Sequence, residues 1–188
     1  MQLKKVNLIA PSSYQESLCD AFSKEVYYTN KKVYMDRHNH ATTTSERGNS
    51  YAEQKFKQDI YSGKLAEFAV YNYILSQGKS VTPPDIDIYH GRKKSFDADL
   101  TVNNETPIHV KSCIETNGWE LAWLFQPNDK LIAEPSDKEV IFLVTISASK
   151  EFSAYILKAI DFIGKYEDPK FGILKKKVIY ESNLIAAE

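Results

Sequence analysis

Seven consecutive residues, Val140-Ile141-Phe142-Leu143-Val144-Thr145-Ile146, are apolar or β-branched almost without a break. Such a run fits a strand at the centre of a sheet, where both faces are covered. The covering surface must come from elsewhere in the chain, and one segment upstream is suited to supply it. Lys64-Leu65-Ala66-Glu67-Phe68-Ala69-Val70-Tyr71-Asn72-Tyr73-Ile74-Leu75 is apolar nearly all round at helical spacing and reads as a buried helix. Gly78 stands at its C-cap position, and Glu67 is its only carboxylate.

The remaining punctuation gives an order of elements. Ser13-Tyr14-Gln15-Glu16 has capping-box spacing ahead of Leu18, Ala21, Phe22 and Val26, which predicts a first amphipathic helix. Residues 29–48 are polar and without periodicity and read as a long loop. Ser50-Tyr51-Ala52-Glu53 is a second capping box, continued by Phe56 and Ile60, and the buried helix follows Gly63. From Ser80 the pattern turns to strands, with alternation in Asp85-Ile86-Asp87-Ile88 and a strand–turn–strand hairpin over residues 97–111. Residues 121–126, 140–146, 153–157 and 177–180 read as further strands, with a short helix around residues 159–163. Helices followed by a block of strands predict an α/β or α+β domain with a mixed central sheet flanked by helices.

Composition sets the outer limits. The 188 residues, 43% hydrophobic and 26% charged, suffice for one domain with a core that needs no disulfide or structural metal. Lys+Arg 24 against Asp+Glu 25 leaves a net charge of −1, which excludes a polycation but not a nucleic-acid enzyme with local basic surface. Cys19 and Cys113 lie far apart with no Cys-x-x-Cys, so neither a zinc site nor a redox motif is expected. The basic start, Met1 to Lys5, precedes an apolar stretch too short for a signal peptide, and no run approaches a membrane span. The expectation is a cytoplasmic protein with no membrane segment and no small-molecule cofactor.

Chemistry concentrates in the hairpin. Strand alternation puts Asp97, Asp99 and Thr101 on one face, and His109 and Lys111 on the same face of the return strand. With the turn near Asn104, Asp99 falls opposite His109 or Val110, and a carboxylate, an imidazole and an amine converge. A polar face on a surface hairpin, with Asp opposite Lys, is also an ordinary cross-strand arrangement, and Glu67 has Lys64 one turn away as a helical partner.

These residues resemble the PD-(D/E)XK nucleases, the restriction-endonuclease-like superfamily: Glu67 on a buried helix, Asp99-Leu100 on the first hairpin strand, His109-Val110-Lys111 on the second. The resemblance implies a restriction-endonuclease-like core over residues 50–146, preceded by an N-terminal helix and polar extension (1–49) and completed by residues 147–188, all in one domain. It implies catalytic roles for Glu67, Asp99, His109 and Lys111. Asp99 would be the principal Mg²⁺ ligand, Glu67 a second carboxylate, and Lys111 the group that orients the attacking water and offsets phosphate charge. His109 stands where a Glu is usual. Imidazole suits Mn²⁺ better than Mg²⁺, and His109 could ligate the metal, act as a base or contact phosphate. Asp97, and Asp85 of Pro84-Asp85, stand as alternatives to Asp99.

The activity so implied is metal-dependent hydrolysis of DNA phosphodiester bonds, restriction-enzyme-like on duplex DNA, by a homodimer that cuts both strands. A junction-resolving or recombination nuclease with the same chemistry, and a non-catalytic nucleic-acid-binding protein with a decayed site, are the alternatives. Other segments carry weaker signals. Gln126, after Trp123-Leu124-Phe125, could approach the site; Arg92-Lys93-Lys94 and Lys175-Lys176-Lys177 could clamp phosphates. The polar segment around Thr42 to Thr44, Arg47 and Asn49 could fold against DNA, whereas His38-Asn39-His40 reads as part of a polar loop.

Overall fold

A computed structural model describes residues 3, 5–38, 46–89, 98–126, 128–162, 164–170 and 176–185. In chain order it contains β1 (Lys5–Asn7), α1 (Ser13–His38), α2 (Glu46–Ser76), β2 (Leu100–Val102), β3 (Thr106–Ile114) and β4 (Ala122–Phe125). Then follow α3 (Lys130–Ala133), β5 (Val140–Ile146), β6 (Phe152–Lys158), a 3₁₀ turn (Ala159–Phe162), β7 (Lys177–Tyr180) and α4 (Glu181–Ile185). Five strands form one sheet in the order β1-β6-β5-β3-β2, and β4 pairs with β7 in a second, two-stranded sheet. Within the larger sheet β3 and β5 run parallel and every other pair is antiparallel, so the sheet is mixed.

The sheet divides the core into two layers, which explains the unbroken apolar run of β5. Phe142, Val144 and Ile146 face a cluster that holds Leu65, Phe68, Ala69 and Ile74 of α2 and Cys19 of α1. Ile141 and Leu143 face the opposite cluster, made by Trp123 and Phe125 of β4, Leu131 of α3, Ile179 of β7 and Leu184 of α4. Trp123, fully buried, donates its Nε1–H to the Val144 carbonyl at 2.9 Å, so the small sheet is tied to the backbone of the central strand. The expected mixed α/β architecture, a central sheet flanked by helices, is the architecture observed.

Several elements differ from the sequence reading. The first capping box lies one residue earlier. Ser12 N–H donates to Gln15 Oε1 at 2.9 Å, and Gln15 N–H donates to Ser12 Oγ at 3.3 Å. Helix α1 continues to His38 through a stretch read as loop, because extending a formed helix requires no apolar periodicity of its own. His38 therefore ends a helix, while Asn39, His40 and Thr42 to Thr44 lie outside the described residues. Ser50 and Gly63 are both interior to α2, one continuous helix of 31 residues, and not boundaries between two. A Cβ at Gly63 would meet nothing within 4 Å, so its cost is the intrinsic propensity deficit of about 1 kcal/mol, which a long packed helix absorbs.

The alternation at residues 85–88 does not form a strand. Asp85 Oδ1 accepts the Asp87 N–H at 2.9 Å, an Asx turn that satisfies the backbone locally after Pro83-Pro84. Strand β1, α3 and α4 are short elements that no periodicity announced. Among the described residues no helix is long and apolar enough to cross a membrane.

The two thiols follow from this packing. Burial, then the nearby Glu67 charge, pushes the Cys19 thiol up to about 12, and burial is the main cause of a raised Cys113 as well. Thiolate is the reactive form and both groups hold it back, so the native protein is expected to react with a disulfide reagent at pH 8 far more slowly than the denatured chain. Prompt titration of two thiols without denaturant would contradict the burial of Cys19 beneath α1 and α2 and the packing of Cys113 against the opposite cluster.

Candidate active site

Two adjacent asparagines set the hairpin. Asn103 (φ 52°) and Asn104 (φ 59°) both take the left-handed conformation, which Asn tolerates best among non-glycine residues and which matches the twist of a tight hairpin. The Glu105 N–H closes the turn on the Val102 carbonyl at 3.0 Å. The resulting register pairs Leu100 with Ile108 and Val102 with Thr106. Leu100, Val102 and Ile108 thereby enter the core beneath the helices. Alternation turns His109 and Lys111 to the other face. Asp99, one step before β2, is pinned there by the Val110 N–H, which donates to its Oδ2 at 2.9 Å. Asp99, His109 and Lys111 are therefore brought together as the sequence suggested.

The neighbouring strand adds a residue that no motif contained. The parallel register pairs Ile108 with Val140 and His109 with Ile141, so Glu139 enters β5 on the His109 face. Its Oε1 lies 3.8 Å from His109 Nε2 and 3.9 Å from the Nζ of Lys130. Burial holds the His109 imidazole below its usual pKa, against the opposing pull of Asp99 and Glu139. The imidazole is thus predominantly neutral at pH 7, and its approach to Glu139 is not an ion pair. His109 Nε2 and Glu139 Oε2 are both buried without a hydrogen-bond partner.

Lys111 has a defined seat. Its Nζ is 3.1 Å from Asp129 Oδ2 and 5.3 Å from the centre of the Phe125 ring. Asp129 is itself fixed, because its Oδ1 accepts the Leu131 N–H at 3.1 Å and caps α3. Lys176 approaches as well: burial, then the Lys111 charge, lowers its pKa. Asp129 and Glu139 went unread in the sequence, although Glu139 directly precedes the apolar run, whereas Lys176 belongs to the basic triplet read there as a possible phosphate clamp.

Glu67 has a different setting. Its Oε2 accepts from Lys64 Nζ at 2.6 Å, with both side chains at most 10% exposed. The pair lines a cleft of about 350 Å³ with Phe22, Ile60, Asp85 and Tyr89, and none of Asp99, His109 or Lys111 lines it. Asp85 accepts from the Tyr89 hydroxyl at 2.7 Å in that cleft, Gln126 is exposed, and Asp97 and Arg92 to Lys94 lie outside the described residues. Lys175 does too, and Lys177 pairs with Asp168 at 2.7 Å.

No protein-family model, no curated protein and no solved structure matches the chain. The chemistry of the site must be argued from its residues. Carboxylates of Asp99 and Glu139 and a neutral imidazole, with two of their polar atoms buried and unpartnered, are the donor chemistry of a divalent cation. Among the described residues no three His, Cys, Asp or Glu side chains already converge as a ligand set. Mg²⁺ does not require one, since it characteristically keeps several waters and takes one or two carboxylates plus substrate phosphate oxygens.

Proposed function

We propose that this protein is a metal-dependent endonuclease of restriction-endonuclease-like fold that hydrolyses phosphodiester bonds in DNA inside the cell. The single observation that supports the reading best is the convergence of Asp99, His109 and Lys111 on one face of the β2–β3 hairpin, with the Asp99 carboxylate held by the Val110 N–H. Helix α2 packed against β3, the hairpin, and β5 parallel to β3 are in keeping with a core of that kind.

In this reading Mg²⁺, or Mn²⁺, when bound supplies charge neutralisation at the scissile phosphate and a more acidic water. The protein does the rest by position. Asp99, held through Oδ2 by the Val110 N–H, would supply the carboxylate that holds the metal. Lys111, seated between Asp129 and Phe125, presents its ammonium to the phosphate and orients the attacking water, so that the P–O3′ bond breaks and a 5′-phosphate remains. Lys130 and Lys176 add positive charge beside the carboxylates and make DNA binding fall with salt. Two copies of the chain act on the two strands of a duplex.

The test is conversion of supercoiled plasmid to nicked or linear product with Mg²⁺ or Mn²⁺ and its loss on chelation. DNA bound with no cleavage under any metal would replace the nuclease by a non-catalytic binding protein of the same fold. Products confined to four-way junctions would keep the chemistry and make the enzyme a resolvase.

A further inference from the structure

We propose that the cleft beside the Lys64–Glu67 pair is a binding site for a small organic ammonium ion, a cation carried on an apolar or aromatic body. The proposal stands apart from the nuclease reading, since none of Asp99, His109 or Lys111 lines this space. Three segments enclose it. Phe22 comes from α1, Ile60 and Gly63 from α2, and Ile88 and Tyr89 from the segment after Pro83-Pro84. About 350 Å³ with mostly apolar walls is the size and character of a small-molecule site. Gly63 adds open backbone to one wall: a Cβ there would meet nothing within 4 Å, so no neighbouring group has taken the space.

Charge selects the occupant. The walls carry four carboxylates, those of Asp59, Glu67, Asp85 and Asp87, against the single ammonium of Lys64. Lys64 does not reverse that balance, because its Nζ lies 2.6 Å from Glu67 Oε2 and 5.3 Å from the centre of the Phe22 ring. Lys55 stands beside Asp59 in an exposed ion pair. Asp85 and Asp87 make the acidic side, on a segment (residues 81–89) that contains no Lys or Arg. Asp85 is also oriented in advance, since Oδ1 accepts the Asp87 N–H at 2.9 Å and Oδ2 accepts the Tyr89 hydroxyl at 2.7 Å. An ammonium meets these carboxylates while its body covers the Phe22 and Ile60 side chains and the Tyr89 ring. A bare divalent ion leaves those apolar walls uncovered, and among the described residues no three His, Cys, Asp or Glu side chains converge to hold one. An anion meets like charge.

The test is a titration of the isotope-labelled full chain at fixed ionic strength, followed by amide chemical shifts, with three probes that share one aromatic body. Phenethylamine is the cation, phenethyl alcohol the neutral control and hydrocinnamate the anion. The amine is expected to shift the amides of Gly63, Lys64 and Asp87 saturably and to bind about 10-fold more tightly than the alcohol, with hydrocinnamate weaker than both. Asp85→Asn combined with Asp87→Asn keeps the hydrogen-bonding shape and is expected to bring the amine down to the affinity of the alcohol. Gly63→Leu, a change that helix propensity favours, fills the open wall and is expected to weaken amine and alcohol alike. Far-UV circular dichroism checks that each variant is folded. No saturable shift with the amine, equal affinity for all three probes, or wild-type amine affinity in either folded variant would overturn the proposal. Because the panel reads binding alone, each of these outcomes stands whether or not the protein cleaves DNA.

Discussion

Glu67→Ala is expected to lower the free energy of unfolding by about 3–5 kcal/mol, because it strands a buried ammonium. Lys64 and Glu67 are a contact pair at 2.6 Å, both buried, and removing the carboxylate takes from the Lys64 ammonium its contact counter-charge in a poorly hydrated place. The paired replacement Lys64→Met with Glu67→Leu separates this cause from lost packing. It removes both charges while keeping the stems, and it is expected to recover most of the loss, since a buried ion pair is often no better than an apolar pair of its size. Urea unfolding of the three proteins is the measurement. A single substitution that costs under about 1 kcal/mol, the range of surface pairs, would mean that water reaches the pair and that the helices are less tightly closed.

Lys111→Ala carries the largest expected effect on function, a loss of about 10²–10³-fold in cleavage rate, the scale for removing one preorganised group that stabilises transition-state charge. Its stability cost is expected to stay near 1 kcal/mol or below, because Lys111 is 30% exposed and its partner Asp129 keeps the Leu131 N–H through its other oxygen. Rate lost with stability kept is the signature of a group that acts on substrate. A comparable loss of both would make Lys111 a strut between β3 and α3. The charge-keeping Lys111→Arg is expected to restore only part of the rate, since a planar guanidinium does not fit the seat against Asp129 and Phe125 in the same way.

These two residues also mark what the sequence could and could not disclose. The hairpin was legible because its information is local. Alternation sorts Leu100, Val102 and Ile108 from Asp99, His109 and Lys111, and the Asn103-Asn104 turn fixes their register. Strand β5 was legible because a strand with α2 on one face and β4 on the other has to be apolar on both. The length of α1 was not, because residues 29–38 carry no apolar stripe. Nor were the partners of the site. Asp129 reaches Lys111 only through the cap of a four-residue helix, and Glu139 reaches His109 only through a parallel register between strands distant in sequence. The role expected for Glu67 came from its being the lone carboxylate of a buried helix. Its neighbour Lys64, one turn away, gives it a partner that periodicity alone ranked no higher than a metal.

The most direct test of the central claim is a cleavage panel of supercoiled plasmid, linear duplex, single strand and four-way junction. It runs with Mg²⁺, Mn²⁺ or chelator, for wild type beside Asp99→Ala and Lys111→Ala. The account predicts metal-dependent product from wild type, none in chelator, and near-complete loss in both variants while they remain folded. Metal-dependent cleavage that persists in both variants would contradict it and move the active centre away from the β2–β3 hairpin.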